Sequence, residues 1–551
     1  MKRMIAILLI LAVGCLPLFA QDRITKGKDL LLKGHSKEAL ALFRKAVEAN
    51  AKDDVALSWL GKTLLALDNP DSAYTVAKDL MTLNSKNPDG YMLAAQALCK
   101  LKRPQEAYSV LSKGLKDTKN NVSLLVQLGL VHLANDSTNQ AVVAFSQAKE
   151  QDANNPKLYE GLGDAYVKMG TQAMGMMQYQ KSLELDSTQV DLRYKMANIY
   201  LQDRQYSDAG RMYQSILRMQ PDNENAALEL GRLYFLAKQW APSAKALEMY
   251  LKNHPEDKDV YLMEVEALSN SRQHESALAA ARHVLEMEPK APKALLAAAR
   301  SLYFLRKHEE SNSFYDQYAR MDTLGVEDLK RIGHNYRHLK NDSMTTVYWQ
   351  RALALDPNQS DIYSEMANSY MRMKNWEKAA EMFEKKIASD SSYVTAYINY
   401  ALCKQQLKEF PQAHAALSKA LQMRPNYVQG HYYMAVVLTQ MDSVKAARTE
   451  FETVARIAEP EKDKYNNELK RAFRYIAISY LQDKNYPKAI TPLEKYTELD
   501  PNDAEMWLFL AQTYYAVNRK EDAKRAFLRV QKLEPNNKDA QKGLDIIEMS
   551  N

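Results

Sequence analysis

The chain has 551 residues, 46% hydrophobic and 26% charged, with a formal net charge of +6 and a mean hydropathy of −0.48. Glycine is scarce and no stretch is linker-like or low in complexity, a balance that suits a soluble helical array. A charge this small over this length argues against nucleic-acid binding.

The first element is a targeting segment. Lys2 and Arg3 precede the apolar run Met4–Val13, then Pro17 and Leu18, Phe19 and Ala20. This reads as a secretory signal peptide over residues 1–20, cleaved between Ala20 and Gln21. The run is short for a membrane span. Cys15 follows Ala-Val-Gly, near a lipoprotein acylation pattern but with Ala12 where Leu is usual. Simple cleavage, lipidation of Cys15 and an uncleaved anchor stay open, and membrane contact is expected only in the last two. The signal resembles those of diderm bacteria, so the expected destination is the periplasm or outer cell envelope. Cleavage leaves Cys99 and Cys403, too far apart along the chain's periodic pattern to pair.

From Asp54 onward a small residue recurs twice in every 34 residues. With Asp54 as position 1, position 8 holds Gly61, Ala95, Gly129, Gly163, Ala197, Gly231 and so on to Ala435. Position 20 holds Ala73, Ala107, Ala141, Gly175, Ala209, Ser243 and so on to Ala447. Twelve units follow one another without an inserted or deleted residue. Positions 4, 7, 8 and 11 share one helical face, and positions 20, 24 and 27 share another. Position 24 is often large, as in Phe145, Tyr179, Trp349 and Phe383. Small residues let the two backbones approach where they cross, and large ones fill the space beside the crossing. Proline near position 32, as in Pro221, Pro289 and Pro425, separates one helix pair from the next.

Stretches such as Leu158–Gly170 and Met506–Asn537 resemble the tetratricopeptide repeat (TPR) family. The resemblance implies an all-α fold, a right-handed superhelical α-solenoid of paired antiparallel helices. It covers nearly all of the mature chain, residues 21–537. One looser unit precedes the twelve, with Gly27, Ala39 and Phe43 in the expected places, and two follow, bringing the array to fifteen. Between them the register breaks by eight residues near 459–469, where Pro460 reads as a helix start. The break is either a first helix lengthened by two turns or a docking protrusion or hinge. Residues 538–551 read as a capping helix with Leu544, Ile546 and Ile547 inward.

Catalytic signatures are missing: no phosphate loop, no HExxH, no CxxC. His334 and His338 stand one turn apart without a third ligand, so no metal or cofactor is expected. The informative surface is the groove. In the family, first helices line the concave face and positions 2, 5, 6, 9, 12 and 13 point into it. Those positions carry Lys293, Arg300, Tyr303 and Phe304, then Lys330, Arg331, His334, Arg337 and His338, then Asn368 and Arg372, then Asn399. Cations, aromatics and amides suit an acidic or carboxylate-bearing peptide, although Glu327, Asp361 and Glu365 dilute the field. Lys330, Asn368 and Asn399 only loosely echo the family's carboxylate clamp. Four apolar groups also fall at groove positions: Val126, Leu130 and Leu133; Leu228, Phe235 and Leu236; Tyr432, Tyr433 and Tyr475; Leu508, Phe509 and Tyr515. They read either as partner contacts or as surfaces covered by neighbouring helices. The expected function is a non-enzymatic scaffold for protein or peptide partners in the cell envelope. The alternative is an envelope-assembly component working with polysaccharide or secretion machinery.

Overall fold

A computed structural model describes residues 22–549. The targeting segment, its cleavage site and Cys15 lie outside the described residues. Within them are thirty-one α-helices, α1 to α31 in chain order, and no strand. Odd-numbered helices are the first of each pair and even-numbered ones the second, with α1 spanning 22–32 and α2 Ser36–Ala49. The array divides into two compact units, one ending at Pro255 and one beginning at Glu256.

One repeat of the first unit shows how the sequence builds a pair. Asn155 caps α9 (Pro156–Lys168) by accepting from the Lys157 amide, and Pro156 takes the first turn, where no amide partner exists. Helix α10 (Gln172–Leu185) returns antiparallel. A methyl built on Gly175 would lie 3.0 Å from the Gly163 carbonyl, so positions 8 and 20 mark where the backbones cross. Where position 20 is serine, its hydroxyl uses that proximity. Ser243 donates to the Gly231 carbonyl at 2.9 Å and Ser311 to the Ala299 carbonyl at 2.8 Å. The large residue at position 24 lies over the small one at position 8 rather than beside the crossing. A methyl on Gly129 would stand 2.5 Å from the Phe145 ring and one on Gly231 2.6 Å from Leu247. Gly163 meets Tyr179, and Gly333 meets Trp349, in the same way.

The buried stripe of the first helices is wider than the expected four positions. Positions 3 and 10 are buried too, as in Ala56, Ala226, Asp328, Thr63, Asn335 and Thr513. Within each unit a first helix packs against its own partner and, where one precedes it, against the preceding pair, so two faces are covered. Successive pairs are also tied by hydrogen bonds from position 25 to the position-11 tyrosine of the next. The side-chain amides of Gln214 and Gln350 donate to the hydroxyls of Tyr234 and Tyr370, and the Tyr514 hydroxyl donates to Glu494.

Every turn inside a pair is closed by a left-handed residue at position 15. Gly34 and Gly170 fill it twice; elsewhere it is Asp, Asn, Lys or Arg, with φ between 54° and 62°. The next amide reaches back five residues, as from Asn69 to Leu64 and from Asn341 to Tyr336. This is the Schellman closure of a helix end.

The register break differs from its expected form. Helix α26 (Val444–Ala458) is followed by a single 3-10 turn, Glu459–Glu461, and α27 starts only at Asn466 and runs to Gln482. Pro460 opens the 3-10 turn, and α27 has 17 residues against the usual 13, one turn longer rather than two. The final helix α31 (Lys538–Met549) places Ala540, Leu544 and Ile547 against the last pair. Ile546, expected inward, is exposed, because only the 540, 544 and 547 spacing follows the packed face.

Candidate functional site

Three first helices of the second unit enclose a cleft of about 470 Å³. They are α15 (Lys258–Asn270), α17 (Pro292–Phe304) and α19 (Val326–His338). Leu262 and Val265 from α15 and Leu296 and Ala297 from α17 form its apolar lining. His274, at the start of α16 (His274–Met287), stacks on Phe304 with ring centroids 4.4 Å apart and planes 12° apart. Phe304 is 52% exposed, so this stack is an open wall. Burial holds the His274 imidazole below its usual pKa, which keeps that wall uncharged near neutrality.

The cleft brings together four of the residues read as groove-facing: Lys293, Arg300, Phe304 and Arg331. Tyr303 packs edge-on against Phe304 at 5.2 Å but does not line the cleft. Asn368 on α21 (Ser360–Arg372) and Asn399 on α23 (Val394–Gln406) are half-buried and lie outside it.

The expected band of free positive charge is largely neutralised by carboxylates of neighbouring repeats, which the spacing of groove positions does not reveal. Arg300 grips Asp328 through two bonds, of 2.9 and 2.7 Å, and Arg331 reaches the same carboxylate at 2.9 Å. Asp328 is buried and also accepts from the Tyr315 hydroxyl. Burial alone would raise its pKa; the two guanidiniums and the hydroxyl more than reverse that and hold it below the usual carboxylate range. Arg337 pairs with Glu365, and Arg372 with Asp342. Lys330 is buried, not groove-facing, and its ammonium is held by Glu327, Asp361 and the Gln359 amide oxygen. It cannot serve as a surface contact.

His334 and His338 contact different aromatic neighbours. His334 lies edge-on to Trp349 at 5.1 Å, and His338 stacks flat on His308 at 4.6 Å. Among the described residues no group of three His, Cys, Asp or Glu side chains is placed to hold a metal ion.

Of the apolar groups, Val126 is buried, and Tyr432 and Tyr475 pack against the core ring of Phe451 at 6.2 and 4.7 Å. Leu236 and Tyr515 stay exposed. The cleft also uses residues outside the groove positions: Val265, Ser301 and, from a second helix, His274. Reading first helices alone could not reach His274. Asp328 was missed because position 3 is not a groove position; its being the one charge in a column of alanine and other small or apolar residues, such as Ala56 and Ala294, was a signal that could have found it.

This geometry defines a class: stacked helical hairpins whose first helices share a binding face. Three family models match the chain. They are the anaphase-promoting complex, cyclosome, subunit 3 over residues 33–114, the Psidin N-terminal TPR repeats region over 265–432, and the tetratricopeptide repeat over 200–264 and 480–544. The chain is a tetratricopeptide repeat protein. No curated protein matches it. Among solved structures, it is similar to the C-terminal part of a TPR repeat-containing protein from Cytophaga hutchinsonii, with 20% identity over 45% of this chain and 99% of that one and a TM-score of 0.39. A thermophilic TPR protein of Thermus thermophilus shows 27% identity over 33% of this chain and 99% of that one, with a TM-score of 0.32. The Cut9–Hcn1 hetero-tetramer of the anaphase-promoting complex shows 15% identity over 97% and 95%, with a TM-score of 0.27.

Proposed function

We propose that the chain is a non-enzymatic scaffold of the cell envelope that holds an acidic protein segment across α15, α17 and α19. The repeat fold supports a protein-interaction role. The observation that carries the acidic preference is the charge balance of the cleft. Two guanidiniums share the single Asp328 carboxylate, and Lys293 adds a further cation that forms no ion pair among the described residues. Against these stands Glu266, so one positive charge remains uncompensated. The Lys2–Ala20 pattern supports export.

A photo-reactive residue at Ala297, on the cleft lining, tests this. Cross-linking in envelope extracts should yield an acidic segment of a partner, and the yield should fall as salt rises, since the Debye length is about 8 Å at physiological strength. Lys293→Glu should remove the adduct. A cross-linked partner that survives both high salt and Lys293→Glu refutes the acidic assignment.

A further inference from the structure

In several repeats position 10 of the first helix carries a small buried polar side chain, and one of these differs from the others. Thr63 and Thr513 donate to their own helices, to the Trp59 and Phe509 carbonyls, and Ser479 donates to the Ile476 carbonyl. Asn335 is held by Ser311, Asn312 and His308. Ser301, at the same position and 1% exposed, lines the cleft, and its hydroxyl meets no partner among the described residues. Ser269, from α15, lines the same cleft with a second unpartnered hydroxyl. Leaving a buried hydroxyl unpaired costs about 1–3 kcal/mol, so two in one wall mark a place that an outside polar atom completes. A serine hydroxyl rotates to suit such an atom.

The remaining lining narrows the ligand. The His274–Phe304 stack gives a flat aromatic wall, with Leu262 and Leu296 among the apolar lining. The Arg331 guanidinium lies 5.9 Å from the Phe304 ring centre. A volume of about 470 Å³ falls in the range of about 300–1,000 Å³ typical of small-molecule sites. The net single positive charge matches one negative charge. Lys293 and Ser301 are eight residues apart on α17, about 12 Å at the helical rise.

We infer that this cleft binds a small flat monoanion, an aromatic monocarboxylate carrying a second hydrogen-bonding group. Its ring lies along the His274–Phe304 wall, its carboxylate faces Lys293, and its far polar atom bonds Ser301. The inference shares with the preceding section the reading that this cleft is a binding site, but not the reading that its occupant is a protein.

The test uses the full chain with trans-cinnamate, neutral cinnamamide and 4-hydroxycinnamate, followed by calorimetry and ligand-observed NMR. Cinnamate should bind, the amide about tenfold more weakly, and the hydroxylated acid more tightly than cinnamate. Lys293→Gln and Phe304→Ala, both at exposed side chains, should each weaken cinnamate about five- to tenfold with the melting temperature unchanged. Ser301→Ala should erase the gain from the 4-hydroxyl while leaving cinnamate affinity intact. The inference is overturned if no acid binds, if acid and amide bind alike, or if Lys293→Gln and Phe304→Ala both bind as wild type. A cross-linked acidic partner with no cinnamate binding removes this inference alone; cinnamate binding without any cross-linked partner removes the scaffold reading of the cleft alone.

Discussion

Substituting alanine for glycine should have opposite effects at two helical positions. Gly333 on α19 faces Trp349 on α20 (Asp342–Leu355), and a methyl there would overlap the indole. The ring has no open side: Trp349 is fully buried, and its Nε1–H donates to the Lys330 carbonyl at 3.1 Å. Overpacking costs about 1–3 kcal/mol, and shifting the indole loses a bond of about 1 kcal/mol. Alanine's helical preference offsets about 1 kcal/mol. Gly333→Ala should therefore destabilise by about 1–3 kcal/mol. Gly210, inside α12 (Tyr206–Met219), is different, because a methyl there would stand 3.8 Å from Leu230 and 3.9 Å from Leu233. That is ordinary contact, so Gly210→Ala should stabilise by about 0.5–1 kcal/mol. Hydrogen exchange read by mass spectrometry reports both effects by segment. Faster exchange should centre on α19 and α20 in the first variant and slower exchange on α12 in the second, since coupling in a repeat array is local. If Gly333→Ala exchanges like wild type, the assignment of position 8 to the floor beneath position 24 is wrong.

Lys330→Glu should unfold its neighbourhood rather than merely alter binding, because the new carboxylate would face Glu327 and Asp361; a loss of about 3 kcal/mol is expected, and unchanged melting refutes the buried ion pair. His431 donates to Glu450 at 2.6 Å and to the Pro425 carbonyl at 2.8 Å. Burial favours its neutral ring, but those two acceptors outweigh burial and raise its pKa. A raised folded pKa means this stabilisation is full below about pH 6.5, the unfolded value, and fades as pH rises through the folded value. Glu450→Gln should flatten that dependence in melts between pH 5.5 and 8.5, and equal slopes in both proteins would contradict it. Burial pushes the Cys403 thiol up to about 12, so a thiol reagent should label it only after unfolding, whereas native labelling would mean its helix opens locally. Protein recovered from an envelope fraction should begin at Gln21 by terminal sequencing; a start at Met1 or an acylated Cys15 selects one of the other two fates of the segment.

The pairing of helices was legible because it depends on size, and size is written directly in the sequence. Gly163 and Gly175 need only be small, and Tyr179 only large, for their places to follow from the period. Charge was not legible in the same way. Arg300 finds Asp328, Arg337 finds Glu365 and Arg372 finds Asp342 across neighbouring elements 28 to 30 residues apart. Which carboxylate lies within reach depends on how adjacent pairs are rotated, and no spacing within one repeat encodes that. Lys330 illustrates the cost: position 5 faces solvent in isolation, but here the adjacent repeat supplies Asp361 and Gln359 and closes over it. The break near 459–469 was visible as eight surplus residues, yet their division between a 3-10 turn and an extended α27 rests on local packing.

The left-handed residue that closes each hairpin has a consequence for how the chain tolerates change. These sites are exposed, as at Arg306, Lys340, Lys374 and Lys408, and exposure alone suggests that any residue would do. Their backbone geometry says otherwise. A β-branched side chain at φ near 60° clashes with its own backbone, and proline cannot reach that region at all. A saturation library should therefore show a surface column as selective as the interior but with inverted taste. It should accept glycine, asparagine, aspartate, lysine and arginine, and reject valine, isoleucine, threonine and proline, at one site per hairpin along the whole array.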